Sequence, residues 1–388
     1  MLKKIKLILL IVIASLLASC ASLRSGNTNL AALPDHYAQI ALLLPLHGPY
    51  ARAGKSIREG FLESYYQGQM HGQPPIQIKF YNTQQGNIKQ LYQQAVQDGA
   101  QLIIGPLQRQ NVRRLERAAN GKVPVIALNY TKSTSPPRDF FEFGLSPEND
   151  AIQVANGAWQ DGHRNAIIIA PNNAWGKRIS NAFVNTWQAL GGQITDGLLY
   201  SNNEKLRPVI RSLLDINQSV ARANKLEKLL GEKVKFAPRR RADVDMIFLV
   251  ATPNYARQIV PLVRYNYATQ LAIYSISLIN TDIPKSNYNL DVNRVKFVDV
   301  PFILNGKNYR SHRQLFTNNT NPFQNRARFY ALGADTYLLA SQLKNISSLP
   351  SQGLNGATGK LYLGSSQMIL QQLSWAEFRN KRIAKIPS

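Results

Sequence analysis

The chain has one cysteine in 388 residues, so no internal disulfide is possible and stability must come from packing. Acidic residues are also scarce, with 22 Asp and Glu against 46 Lys and Arg, a net charge of +24. The motifs of common catalysis are missing: there is no G-x-S-x-G, no H-E-x-x-H, no C-x-x-C and no phosphate-cradling glycine loop. The five histidines (His36, His47, His71, His163 and His312) are scattered, and none is paired at metal-ligand spacing. His47 follows a strand, where α/β sites form, but no nucleophile or oxyanion-hole signature accompanies it. No catalytic residue, metal or cofactor is therefore expected. A long apolar run is missing too. Leu7 to Leu17 gives about ten apolar residues, whereas a spanning helix needs roughly 20.

That short run has a different use. Lys3, Lys4 and Lys6 precede it, and Leu17-Ala18-Ser19-Cys20 closes it. The four residues resemble the lipobox of bacterial lipoproteins, in which cleavage leaves an acylated cysteine as the new N-terminus. Cys20 is the expected lipidation site, carrying acyl chains such as palmitate, with residues 1–19 as the signal peptide. Ala21 follows it where an inner-membrane retention signal would place Asp, so the outer membrane, facing the periplasm, is the expected location. Without the leader lysines the charge is roughly +21, and secretion removes nucleic acid as its target. Lipid head groups, cell-wall polymer or an acidic protein remain.

Residues 20–37 (Ser, Gly, Asn, Thr, Ala) lack periodicity and read as a lipidated tether that extends at most about 60 Å. Gln39–Leu44, QIALLL, is a continuous apolar run suited to a buried parallel strand. Helix Ala53–Tyr66, strand Ile76–Tyr81, helix Ile88–Asp98, strand Leu102–Ile104, helix Gln108–Ala119 and strand Pro124–Leu128 follow. A second series starts at Ser146-Pro147, a capped helix entry. Its strands are Ala166–Ala170, Gln193–Leu199, Asp245–Ala251 and Leu271–Ser275, with a long helical stretch at about Glu204–Leu230. After a helix at Ala327–Leu343, GATGKLYL and QMILQQLSW read as a hairpin around Gly364-Ser365-Ser366. The expected fold class is α/β, two lobes with a cleft between them, each a mostly parallel sheet flanked by helices. The expected partition is 38–145 as the first part of lobe 1 and 146–275 as the first part of lobe 2. Residues 276–343 then return to lobe 1, and 344–388 supply the closing hairpin and tail of lobe 2.

Several segments carry a family resemblance. IALLLPLHGPYARAGKSIREGF is similar to the first strand, loop and helix of the LppC family, the penicillin-binding-protein activator lipoproteins. LIIGPLQRQNV, FGLSPENDA, and NGATGKLYL with LSWAEF are similar to later blocks. The most specific block is RSLLDINQSVARANKLEKLLGEKVKFAPRRRADVDMIFLVATPNYARQIVPLVRYNYA, a helix pair and basic run that ordinary solute receptors lack. The resemblance covers roughly residues 38 to 380 and implies a type I periplasmic-binding-protein-like fold. It also implies an outer-membrane, periplasm-facing regulator with a class A penicillin-binding protein as partner, acting on peptidoglycan synthesis and cell shape without being an enzyme. Longer members carry a helical-repeat domain where this chain has its tether. The alternative is a solute receptor holding a small ligand, such as a wall fragment, in the cleft.

In such a sheet the loops beyond the strand carboxyl ends face the crevice. They supply the cleft-lining candidates His47, Gly48, Arg52, Gly105, Asn129, Tyr130, Asn172, Trp175 and Tyr255. Tyr130 and Trp175 offer stacking faces, Gly48 and Gly105 let backbone N–H groups approach an anion, and Arg52 adds charge. None of these loops holds a carboxylate for an ammonium group, which argues against an amino-acid ligand. Arg239, Arg240 and Arg241 are the partner-binding candidates.

Overall fold

The computed structural model describes residues 36–131, 133–201, 205–280, 289–304, 326–344 and 353–387. The signal peptide, Cys20 and nearly all of the tether lie outside the described residues.

The first sheet begins with β1 (Gln39–Leu44), buried at all six positions as a strand covered on both faces must be. Around it stand β2 (Gln77–Asn82), β3 (Leu102–Ile104), β4 (Val125–Ala127) and β5 (Phe140–Phe143), all parallel. Helices α1 (Ala51–Met70), α2 (Ile88–Gln97) and α3 (Arg109–Ala118) connect them. Gly105 keeps its turn tight, because it sits at φ +101° where a Cβ would meet the Leu43 carbonyl at 2.1 Å.

The chain enters the second lobe through α4 (Pro147–Gln160). Pro147 stands in its first turn, and the Ser146 side chain accepts from the Asn149 N–H at 3.3 Å. The second sheet holds five parallel strands: β6 (Asn165–Pro171), β7 (Gln193–Tyr200), β8 (Met246–Leu249), β9 (Ala272–Ser275) and β10 (Val295–Asp299). α4 and α5 (Ala174–Ala189) cover one face; α6 (Leu206–Leu213), α7 (Ile216–Leu230) and α8 (Pro253–Tyr265) cover the other. The long helical stretch read from the sequence divides between α6 and α7, where Asp215 adopts φ +57°.

The return crossings depart from the expected partition. β10 stays in the second sheet, so residues 276–343 do not return as one block. After the short α9 (Pro301–Leu304), α10 (Arg326–Gln342) lies along α1 of the first lobe. The two helices touch backbone to backbone. A Cβ on Gly60 would meet the Tyr330 carbonyl at 2.0 Å, and one on Gly333 the Ile57 carbonyl at 2.0 Å. The hairpin of β12 (Lys360–Leu363) and β13 (Met368–Gln372), with short β11 (Leu354–Asn355) at its edge, belongs to the first sheet. The cause is a parallel pairing of β13 with β5, Ile369 opposite Phe143. Only after Leu373 does the chain cross again, and β14 (Ser374–Arg379) and β15 (Arg382–Lys385) close the second sheet antiparallel. Among the described elements the chain thus passes between the lobes three times.

Candidate functional site

A cavity of about 570 Å³ lies where these crossings converge. Leu107, Asn129, Trp175, Ser277 and Val300 reach it from just beyond β3, β4, β6, β9 and β10. α10 adds Arg328, Phe329 and Leu332, and β13 adds Gln371. Its position follows the rule for open α/β sheets, in which strand carboxyl ends surround the crevice.

Charge at its floor is organised by α10. The Arg328 Nε and Nη2 donate to the two oxygens of Asp299 at 2.8 and 2.5 Å, with 4% and 0% of the two side chains exposed. Asp299 also accepts from Asn280 Nδ2 and the Val300 N–H, both at 2.8 Å. Arg328 Nη2 reaches the Ser277 carbonyl at 3.0 Å. A buried pair endures only when its remaining donors and acceptors are so satisfied. Two turns further along, Asp335 accepts from the Ala357 N–H, the Thr358 N–H and the Thr358 hydroxyl at 2.6, 2.7 and 2.5 Å. Burial pushes its pKa up to about 6.

Two groups in the cavity keep unused capacity. Asp150 is 7% exposed, and its Oδ2 accepts from the Ser277 hydroxyl at 2.5 Å and the Ser277 N–H at 3.2 Å. Its Oδ1 accepts no hydrogen bond among the described residues. Burial raises its pKa to about 6, against the lowering effect of the Ser277 bonds. Arg109 is fixed by its Nε, which donates to the Tyr130 carbonyl at 2.5 Å, and its outer nitrogens have no partner among the described residues. An anion holder and a cation holder, set among leucines, Phe329 and Trp175, suit a small zwitterionic ligand with an apolar body. The carboxylate that the strand-end loops lack is thus supplied by a helix.

Of the nine residues expected to line the cleft, Asn129 and Trp175 line this cavity and seven do not. His47 is exposed, and its Nδ1 accepts from Asn82 Nδ2 at 2.7 Å; the Asn82 oxygen is occupied by the Leu46 and Gln84 N–H groups. Gly48, Arg52 and Asn172 are also exposed. Gly105 is consumed by its turn, Tyr130 is buried with its hydroxyl on the Ile369 carbonyl at 2.7 Å, and Tyr255 packs on Tyr200. Asp150, Ser277, Arg328, Phe329 and Gln371 were not anticipated, because they lie on helices, in a strand or in a short helical turn. The signal present was Arg and Asp on an otherwise apolar helix, RARFYALGADTYLLASQ, which marks buried charge. Among the described residues no group of three or more His, Cys, Asp or Glu could hold a metal ion, and no helix is long and apolar enough to cross a membrane.

The basic triplet divides. Arg240 Nη1 donates to the Arg241 and Val244 carbonyls at 2.7 and 2.9 Å. Arg241 forms two hydrogen bonds with Asp243 and one with Asp196, and the Asp243 bonds hold its guanidinium firmly protonated. Of the three, only Arg239 is exposed.

Residues 28–381 match the family model described as "LppC putative lipoprotein". The penicillin-binding protein activator LpoA of Photobacterium profundum is 25% identical over 349 residues, covering 89% of this chain and 56% of that protein. The chain therefore spans little more than half the length of such curated relatives. The solved C-domain of LpoA from Haemophilus influenzae, described as a regulator of PBP1A, superposes with a TM-score of 0.69. It is 25% identical and covered completely by 90% of this chain. An ABC transporter substrate-binding protein from Sphaerobacter thermophilus, 14% identical with a TM-score of 0.60, shares the fold, covering 90% of this chain and 96% of its own.

Proposed function

Because the chain belongs to the LppC lipoprotein family, we propose that it is a non-catalytic envelope lipoprotein that binds and stimulates a class A penicillin-binding protein. The observation that carries this reading is that the two-lobed module corresponds end to end with the C-domain of a PBP1A regulator. In this reading Cys20 holds the chain at the outer membrane through its acyl chains. The module then favours the active arrangement of the synthase by binding it more tightly than the inactive one. The basic surface steers the encounter, so association is expected to slow as salt rises while dissociation changes less. Surface-plasmon measurements at about 50 and 300 mM salt test the binding, and glycan polymerisation with and without the lipoprotein tests the stimulation. No binding, or no change in polymerisation, overturns the reading.

A second reading, a receptor for a small ligand, is favoured by the unused Asp150 Oδ1 and Arg109 nitrogens in one cavity. Calorimetric titration with free amino acids and short wall peptides tests it. Heat that vanishes in Asp150→Asn supports a receptor, and silence across the panel removes it.

A further inference from the structure

Four of the exposed large apolar side chains fall within eleven consecutive positions: Leu226 (45% exposed), Leu229 (74%), Leu230 (60%) and Phe236 (42%). Exposed leucines that crowd together in this way mark a contact surface, where scattered ones would not. The segment is held in place. α7 buries Ile216, Ser219 and Ala223 against its own lobe, and after Gly231 the chain folds back along the helix. Glu227 Oε1 accepts from the Val234 N–H at 3.1 Å, the Ser219 hydroxyl from the Arg239 N–H at 3.1 Å, and the Leu214 carbonyl from the Arg241 N–H at 3.0 Å. Three bonds at successive heights fix a helix and an antiparallel strap into one platform, so little ordering entropy remains to be lost on binding.

Around the apolar centre stand Lys225, Lys228, Lys233, Lys235 and Arg239, all exposed and without an ion pair among the described residues. From 222 to 241 there are eight Lys and Arg against two Glu. We propose that this platform is the docking surface for the penicillin-binding protein, meeting an apolar depression rimmed by acidic side chains. The proposal rests on the activator reading above. Large apolar anchors inside a charged rim are the anatomy of a protein interface. A membrane is the poorer fit. An interfacial helix runs its apolar stripe along its whole length, whereas α7 exposes leucines only near its C-terminal end, beside Glu227 and Glu232.

The test uses the full-length lipoprotein in detergent with a class A penicillin-binding protein of the same envelope. The variants are L229E/L230E and K233E/K235E, with R113E/R117E on α3 as a control whose charge change equals that of the lysine pair and exceeds that of the leucine pair. Melting temperatures establish that each variant folds. The leucine pair is expected to weaken binding by about thirtyfold or more and the lysine pair mainly to slow association, with the control near wild type. Wild-type binding with both platform variants unimpaired overturns the platform and leaves the activator reading standing. No binding by the wild type overturns the activator reading, and the platform's partner with it. Cosedimentation with phosphatidylglycerol vesicles that only the platform variants lose, with synthase binding intact, assigns the surface to the membrane and also overturns the proposal.

Discussion

At the lobe junction, Arg328 faces Asp299 and two backbone carbonyls inside the fold, whereas on the α7 platform five basic side chains face solvent with no ion pair among the described residues. Both regions hold basic side chains, but they use charge differently. In the first, a cation is surrounded so completely that its charge serves to hold α10 and β10 in one relation. In the second, the backbone is bonded and the charges are left over. A surplus that does not stabilise the fold is available to a partner, and that division is what the following variants probe.

The largest effect is expected where the junction is cut. Arg328→Met leaves the Asp299 carboxyl buried without its partner, and should cost about 3–5 kcal/mol in urea unfolding. Arg328→Met combined with Asp299→Asn should recover much of that loss, because no uncompensated charge remains. A single variant as stable as wild type would mean the junction does not depend on its ion pair. Next comes Asp335→Ala, which strands two N–H groups and a hydroxyl between α10 and residues 357–358. It should cost about 2–4 kcal/mol, with faster amide exchange at Thr358.

A smaller effect has a definite sign. Asp150 titrates at about 6 in the folded chain, against about 3.9 when unfolded, so the folded chain holds the extra proton between those values. Its contribution to stability is therefore present at low pH and is lost as pH rises through about 6. From pH 5 to pH 7 the loss is about 1 kcal/mol. In Asp150→Asn, whose amide oxygen can still accept from Ser277, that increment should disappear from the difference between urea titrations at the two pH values. An unchanged difference would show that Asp150 is not the group responsible.

The sequence made some parts of this arrangement legible and hid others. QIALLL reads as a buried strand because five apolar residues in a row, Ile40 to Leu44, have no amphipathic alternative. The Ser146-Pro147 helix entry is legible for an equally local reason. FFEF (β5) and VKFVD (β10) were missed, since a short strand becomes one only through its neighbours. The lobe to which the hairpin belongs depends on Ile369 meeting Phe143, more than two hundred residues earlier, and no local pattern reports such a pairing. The site follows the same logic. Asn129 lies just after β4 and Trp175 in the first turn of α5, just after β6, so the strand ends pointed to both, whereas Asp150 and Arg328 project from helices whose packing decides where they point.

The smallest effect separates neighbours in sequence. Arg241 binds Asp243 through two nitrogens and Asp196 through a third contact at 2.8 Å, tying the strap after α7 to β7. Arg239 gives the fold only its backbone N–H. Arg241→Ala should therefore cost about 1 kcal/mol in stability, in the upper range for a surface ion pair because its guanidinium is largely covered, while Arg239→Ala should stay within about 0.5 kcal/mol of wild type. The order should reverse in the on-rate for an acidic partner. Losing Arg239 removes a solvent-facing charge from the rim, whereas losing Arg241 removes a cation already compensated by two carboxylates. Measuring both quantities on both variants decides whether arginines two positions apart divide between fold and encounter. Parallel losses in the two would erase the distinction between bound and surplus charge.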